Sequence, residues 1–172
     1  MENLQPSTGK YALKFGIILA VAGIAFSLLL HFNDLQYSQS WANSLVSTLM
    51  LIIILVLAIY QFKKDNGGYL SLSQALKVGI GAAMIAGIIS VIYLMLYVNV
   101  IEPEFMDRTA EITKSTLQQN PDLTPEQIET ALKNQKEYFW ITYPIVLIFN
   151  LFLGFVFSLI TGLIMKKEKS DY

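Results

Sequence analysis

Residues 78–101 read VGIGAAMIAGIISVIYLMLYVNVI, an uninterrupted run without Asp, Glu, Lys or Arg. A helix needs roughly 20 consecutive apolar residues to cross the hydrocarbon core of a bilayer. Three other stretches also lack charged residues and contain apolar cores of that length: residues 15–33, 35–62 and 138–165. Because hydrocarbon cannot hydrogen-bond to free backbone N–H and C=O groups, each stretch is predicted to be a transmembrane helix.

The sequence therefore predicts an all-α, polytopic membrane protein whose residues 1–172 form a single membrane domain. Charged residues make up 15% of the chain, whereas a soluble domain typically has about 25%. This composition leaves no sizeable soluble core. The four predicted spans cover about residues 11–32, 42–62, 75–101 and 141–165.

Two parts of the chain are nearly alike. Residues 12–17, ALKFGI, recur as residues 75–80, ALKVGI, and each copy begins an odd-numbered span. The even-numbered spans also end alike, at residues 63–65, KKD, and 166–168, KKE. The pattern predicts two hairpins in the same orientation, related by an axis along the membrane normal. Chance similarity is the alternative, because Ala, Leu, Gly and Ile are common in membrane helices and Lys is expected at the interface.

Basic residues divide unevenly between the two sides of the membrane. With four spans, residues 1–14, 63–77 and 166–172 share one side, which holds eight of the twelve Lys and Arg residues. The other side comprises residues 33–40 and 102–137. The positive-inside rule therefore predicts that both termini are cytoplasmic.

Residues 102–137 form an extracytoplasmic insertion between the third and fourth spans. A weak helical stripe of apolar residues runs from Phe105 to Leu117, and residues 120–122, NPD, interrupt it. A second helical segment follows, so the insertion is predicted to be a helical hairpin.

Two capping boxes mark predicted helix starts. Thr124 and Gln127, with proline between them, predict the start of the second insertion helix. Ser71 and Gln74 predict that the third helix begins near Leu72, before the membrane.

Small residues recur every four positions in three of the spans, and such faces let helix backbones approach closely. We predict that they pack within the bundle, with contacts between two copies of the chain as the alternative. The second span lacks such a face and is expected to be the most lipid-exposed. The predicted helix-packing residues are Gly16, Ala20, Gly79, Ala83, Gly87, Gly154, Ser158 and Gly162.

Asn150 is the most polar side chain well inside the fourth span. Ser90 and Tyr93 of the third span lie at a similar depth, so an interhelical hydrogen bond to Asn150 is predicted. Ion or proton pathways normally use ionisable residues, and none lies deep in a span. This pattern argues against an ion-coupled transporter or pump.

The sequence lacks the patterns expected of an enzyme. It has no cysteine and a single histidine, His31, so thiolate chemistry and a histidine-based zinc site are not predicted. Residues 102–111 hold an acidic run that we interpret as a solvated face partly paired with Arg108, with a weak cation site as the alternative. We predict no catalytic residue, cofactor, metal or nucleic-acid partner. The acidic run consists of Glu102, Glu104, Asp107 and Glu111.

Several short motifs occur together in a distinctive order: ALKFGI at residues 12–17, GYLS at 68–71, QALKVG at 74–79 and YxxVIxP at 97–103. This combination resembles a family of small four-helix membrane proteins from Bacteroidota-type bacteria, known as a domain of unknown function. The resemblance covers nearly the whole chain and implies a protein of the bacterial inner membrane. It supplies no activity, cofactor or catalytic residue.

These features predict a non-enzymatic inner-membrane protein of the structural or interaction class. Besides the lipid bilayer, its expected partner is another protein, bound through the insertion at residues 102–137, or a second copy of the chain, bound through the small-residue faces. The alternative is a small-solute transporter or channel that acts as an oligomer.

Overall fold

The computed structural model describes residues 6–38 and 40–167, and its regular structure there is helical. One turn of π-helix, Tyr97–Ile101, follows the third helix, and a 3-10 helix, Phe139–Ile141, precedes the last. The predicted all-α class is confirmed. The α-helices are α1 (Thr8–Phe32), α2 (Trp41–Asp65), α3 (Leu72–Leu96), α4 (Phe105–Leu117), α5 (Pro125–Glu137) and α6 (Thr142–Met165).

Four helical segments are long and apolar enough to cross a membrane. They are Thr8–Phe32, Trp41–Asp65, Leu72–Ile101 and Phe139–Met165, each beginning slightly before the corresponding predicted span. The remaining helices, α4 and α5, lie between the third and fourth segments, as the helical-hairpin prediction requires. The protein is therefore a multi-pass membrane protein.

The chain divides into two compact units. The four-helix unit comprises residues 1–90 and 147–172, and the hairpin unit comprises residues 91–146. Both boundaries fall inside helices, because α3 and α6 each contribute residues to both units.

Within the four-helix unit, α3 and α6 approach closely through small residues. A Cβ built at Gly79 would lie 1.7 Å from Ser158 Oγ, and one at Gly154 would lie 2.4 Å from the Ala83 Cβ. A Cβ at Gly162 would lie 2.8 Å from the Cβ of Ala75. These spacings leave no room for a larger side chain at the three glycines, where the backbone of one helix packs directly against side chains of the other.

A second close approach joins α1 to α3. A Cβ at Gly16 would lie 2.9 Å from the Ala82 carbonyl oxygen, and one at Gly81 would lie 2.8 Å from the Ala12 Cβ. Ala20 is also buried in the core of the unit. Helix α3 therefore contacts α1 on one side and α6 on another.

The second span is more buried than the sequence suggested. A third of its most apolar stretch (33%) is buried, against 17% in α1 and 22% in each of the other two spans. Leu55, Ile59 and Phe62 are fully buried, and Ile59 packs beside Gly79. The expectation that α2 is the most lipid-exposed span is therefore wrong. Its large side chains fill the space beside the small residues of α3, so burial did not require a small-residue face of its own.

Hydrogen bonds join the helix ends at the lysine-rich end of this unit. The Tyr11 hydroxyl donates to the Asp65 carboxylate, which links α1 to α2. Backbone hydrogen bonds of 2.8 and 3.0 Å join Leu70 to Lys167, so the α2–α3 loop is fixed to the end of α6. These contacts connect all four helices at one end.

The two glycines of the repeated motif have different neighbours. Gly16 of the first copy faces α3, whereas Gly79 of the second copy faces Ser158 of α6. The repeated sequence thus provides a glycine at each position, but the partner helix differs. Glu168, which completes the second Lys-Lys-acid sequence, lies outside the described residues.

Both predicted capping boxes are confirmed. The backbone N–H of Gln74 donates to Ser71 Oγ at 3.2 Å, and the backbone N–H of Ser71 donates to Gln74 Oε1 at 2.9 Å. The equivalent distances between Thr124 and Gln127 are 3.3 and 2.9 Å. Each box satisfies two backbone donors that a helix N-terminus leaves free, which fixes the first residue of α3 and of α5.

We expect Gly79→Ala to destabilise the four-helix unit, because the added methyl group would overlap Ser158. Overpacking of this kind costs about 1–3 kcal/mol. The matched control is Gly23→Ala, since a Cβ at Gly23 meets nothing within 4 Å. Thermal unfolding in detergent should show a lower Tm for Gly79→Ala and an equal or higher Tm for Gly23→Ala, because alanine favours helix.

A second substitution tests the cause. Removing the facing side chain in the double variant Gly79→Ala/Ser158→Gly should recover part of the lost Tm. Equal Tm values for Gly79→Ala and Gly23→Ala would contradict the packing described for α3 and α6.

We expect Thr124→Ala to loosen the start of α5, because it removes the hydroxyl that caps the helix. Loss of an N-cap costs about 1 kcal/mol, which corresponds to roughly fivefold faster amide hydrogen exchange. Thr130→Ala is the control, since Thr130 bonds only within the helix, to the Glu126 carbonyl oxygen. Hydrogen exchange measured by mass spectrometry should distinguish the two, and identical exchange in the first turn of α5 would contradict the capping role.

Candidate functional site

The polar residues predicted within the spans lie in both units. Asn150 packs against α3, where its Cβ is 3.4 Å from the position of a Cβ at Gly87. Ser90 is half-buried one turn further along α3. Tyr93 belongs to the hairpin unit, where its ring centroid is 5.8 Å from that of Tyr97. A hydrogen bond from Asn150 to Ser90 or Tyr93 stays a prediction.

A continuous row of aromatic rings runs through the hairpin unit. Tyr93, Tyr97, Phe105, Phe139 and Tyr143 follow one another with centroid separations of 5.8, 5.8, 6.1 and 5.8 Å. Ring pairs at such distances contribute about 0.5–1.5 kcal/mol each beyond the area that they bury. The row joins the end of α3, the start of α4 and the start of α6, so it fixes both ends of the α4–α5 hairpin.

The π-helical turn places Tyr97 in this row. Tyr97 is 5% exposed, and its carbonyl oxygen accepts a 2.8 Å hydrogen bond from the Glu102 amide. The i to i+5 bond widens the last turn of α3, a geometry that often occurs at functional positions. The chain then leaves the span at Glu102, whose carboxylate is largely buried.

Ion pairs engage Glu102, Glu104 and Asp107 of the acidic run. Arg108 lies 3.4 Å from the Glu102 carboxylate and 3.1 Å from that of Glu104, which confirms the predicted pairing. Asp107 bonds instead to Lys136 of α5 at 2.6 Å. This last pair crosses between the two hairpin helices. Throughout the part of the chain that the structure describes, no group of three His, Cys, Asp or Glu residues is placed to hold a metal ion.

A groove opens between α4 and α5 near the turn that joins them. Its volume is about 580 Å³, within the range of roughly 300–1,000 Å³ found for small-ligand sites. Ile128, which is 8% exposed, is the most buried lining side chain. The other lining residues include Lys114, Leu123, Pro125, Glu129 and Leu132.

The groove combines an apolar interior with exposed charges of both signs. Leu123, Ile128 and Leu132 provide carbon surface, while Lys114 and Glu129 are exposed beside it. Such a site can accept an apolar side chain of a peptide and orient it through the flanking charges. The arrangement therefore suits the binding of a peptide segment through one apolar side chain.

Sequence reasoning found the hairpin but missed the aromatic row and the groove. The row had a sequence signal: Tyr93 with Tyr97, and Phe139 with Tyr143, are spaced four residues apart at the two ends of the insertion. The groove had none, because it forms only where the end of α4 meets the start of α5.

Aromatic side chains near the loops are strongly exposed. Trp41 is 77% exposed, Trp140 62% and Tyr138 51%. Exposed Trp and Tyr at the ends of apolar helices are typical of the headgroup layer, where the ring lies in the apolar region and the polar atom reaches water. They are consistent with helices that end at a membrane interface.

Comparison with known proteins gives a family for the chain. Residues 14–167 match the family described as "Protein of unknown function (DUF4199)". No curated protein and no solved structure matches the chain. The matched residues include all four apolar spans except the first turns of α1, together with the complete α4–α5 hairpin. The protein thus belongs to the DUF4199 family.

Proposed function

We propose that this protein is a non-enzymatic accessory protein of the bacterial inner membrane whose α4–α5 hairpin binds a protein partner. The supporting observation is the groove near the tip of a hairpin that is fixed at its base. The aromatic row and the Asp107–Lys136 pair restrain the two helices. A restrained surface loses less conformational entropy on binding, which favours recognition.

The charge of the hairpin unit indicates the kind of partner. Residues 91–146 carry eight acidic and four basic residues. Ion pairs engage both Arg108 and Lys136. Asp122, Glu126 and Glu129 are exposed around the groove, where Lys114 is the one cation among the described lining residues. Complementary potentials accelerate association and select partners. We therefore expect a partner segment with one large apolar side chain flanked by basic residues.

The orientation in the membrane is part of the proposal. Seven described lysines lie at the ends of α1, α2, α3 and α6 that the Tyr11–Asp65 and Leu70–Lys167 contacts join. The positive-inside rule favours a cytoplasmic position for this end, with the hairpin on the opposite side.

The small-residue faces bear on the alternative of an oligomeric transporter or channel. Gly79, Gly154 and Gly162 lie against neighbouring helices of the same chain. Since these contacts already occupy the faces that an oligomer was expected to use, partner binding by the hairpin is the function we propose.

Single cysteines should report the orientation, because the natural sequence contains none. We expect Ser115→Cys, at an exposed position on α4, to react with a membrane-impermeant maleimide on intact bacterial cells. Ser7→Cys, exposed just before α1, should react only after lysis. The reverse labelling pattern would contradict the proposed orientation.

Deleting residues 104–136 should remove partner binding while leaving the four apolar spans, and hence membrane insertion, in place. Quantitative mass spectrometry after chemical cross-linking in native membranes measures the partner, and carbonate extraction measures insertion. Recovery of the same cross-linked proteins with the deletion variant would refute the proposed function.

A point substitution tests the groove itself. Leu132→Glu places a charge among the apolar lining residues, which should reduce partner recovery at least severalfold, since burying an unpaired charge is costly. Thr130→Glu is the matched control, because it adds the same charge to the same helix at an exposed position outside the groove lining. An equal loss of partner recovery in both variants would mean that the added negative charge alone weakens binding, which would contradict binding in the groove.

A further inference from the structure

A second groove lies in the four-helix unit along the first turns of α3. Its volume is about 560 Å³, and its lining residues are Leu72, Ser73, Leu76, Lys77, Ile80 and Gly81. Gly81 lies against Ala12, so the groove runs beside α1 on the surface of the unit. At 1.5 Å per residue, its lining extends about 14 Å along the helix.

The polarity of the groove changes along the helix axis. Ser73 and Lys77 are exposed and polar, and Lys77 is the last charged residue before the uncharged run at 78–101. Ile80 continues the groove into that run, and the apolar side chains of Met84 and Ile88, 50% and 43% exposed, follow at four-residue intervals. In a membrane, this order places the lysine at the headgroup layer and the apolar track in the hydrocarbon.

The surrounding charge favours an anion. The described part of the four-helix unit contains two acidic residues, and Asp34 belongs to the α1–α2 loop at the other end. The second, Asp65, accepts hydrogen bonds from Tyr11 and Gln61. Lysines dominate the end that holds the groove. They are Lys10, Lys14, Lys63, Lys64, Lys77, Lys166 and Lys167.

Helix α6 contacts the first residues of the groove, since a Cβ built at Gly162 would lie 2.9 Å from Leu72 Cδ1. Two backbone hydrogen bonds join Lys167 to Leu70, two residues before the lining residue Leu72. The Lys167 ammonium group lies over the Tyr69 ring, 5.7 Å from its centroid, so Lys77 is the lysine that lines the groove. A lysine at the membrane surface attracts the headgroups of anionic lipids.

We propose that this groove binds a phospholipid with an anionic headgroup. The Lys77 ammonium group contacts the headgroup phosphate, and one acyl chain lies along Ile80, Met84 and Ile88. The site differs from the hairpin groove and depends only on the four spans crossing a bilayer, so it stands or falls independently of the proposed partner.

Native mass spectrometry of the full chain tests the assignment. The purified protein in detergent is offered dioleoyl phosphatidylglycerol or dioleoyl phosphatidylcholine at equal concentration, and phosphatidylglycerol should be retained preferentially. Lys77→Gln should reduce phosphatidylglycerol binding roughly fivefold, the effect of one lysine at an anionic surface. Lys77→Arg should retain binding, because the positive charge remains.

Two further variants distinguish lipid binding in the groove from lipid attraction by the other lysines at this end of the unit. Lys10→Gln removes an exposed lysine of the same end that does not line the groove, and should leave the lipid preference unchanged. Leu76→Trp fills the groove and should reduce retention of both lipids. An unaltered Tm for each variant establishes that the fold is kept. Equal retention of the two lipids by the wild-type chain, or equal effects of Lys77→Gln and Lys10→Gln, would overturn the proposal.

Discussion

Helices α3 and α6 approach each other so closely that one methyl group added at Gly79 or Gly154 would overlap the facing helix. In a bilayer, the hydrophobic effect does not drive helices together, because lipid is as apolar as the side chains it replaces. Close backbone approach over a long contact is therefore the main source of attraction. The same α3 also approaches α1 at Gly16 and Gly81. Since α3 contacts both neighbours, the arrangement of the four-helix unit depends on its small residues.

The hairpin unit is held by different forces. Aromatic rings from Tyr93 to Tyr143 fix its base, and the Asp107–Lys136 pair joins its two helices. Most of these rings lie at the ends of the apolar spans Leu72–Ile101 and Phe139–Met165, whereas the exposed Asp107–Lys136 pair lies on α4 and α5, where hydration is tolerated. The protein thus combines two packing regimes along α3 and α6. The proposed lipid groove lies in the four-helix unit, which small residues hold together. The proposed partner groove lies in the hairpin unit, which aromatic rings and an ion pair hold together.

Features that depend on neighbouring residues in the chain were predictable. The capping boxes at Ser71 and Thr124 are local, so the starts of α3 and α5 followed from the sequence. The burial of α2 was not predictable in the same way. Leu55 and Ile59 are large aliphatic residues that suit lipid and protein interior equally, so composition could not distinguish the two. The repeated glycines were recognisable as packing positions, but their different partner helices were not.

By itself, the sequence determined the all-α class, the four spans and the helical insertion, because bilayer thickness and backbone hydrogen bonding impose those features on any apolar run of this length. It also located the small residues that allow close packing. Only the tertiary structure decided which helices those residues join, how the aromatic row fixes the hairpin and where the two grooves open. Each of these requires residues distant in the chain to meet, and in lipid that choice depends on shape complementarity, which a hydropathy pattern does not record.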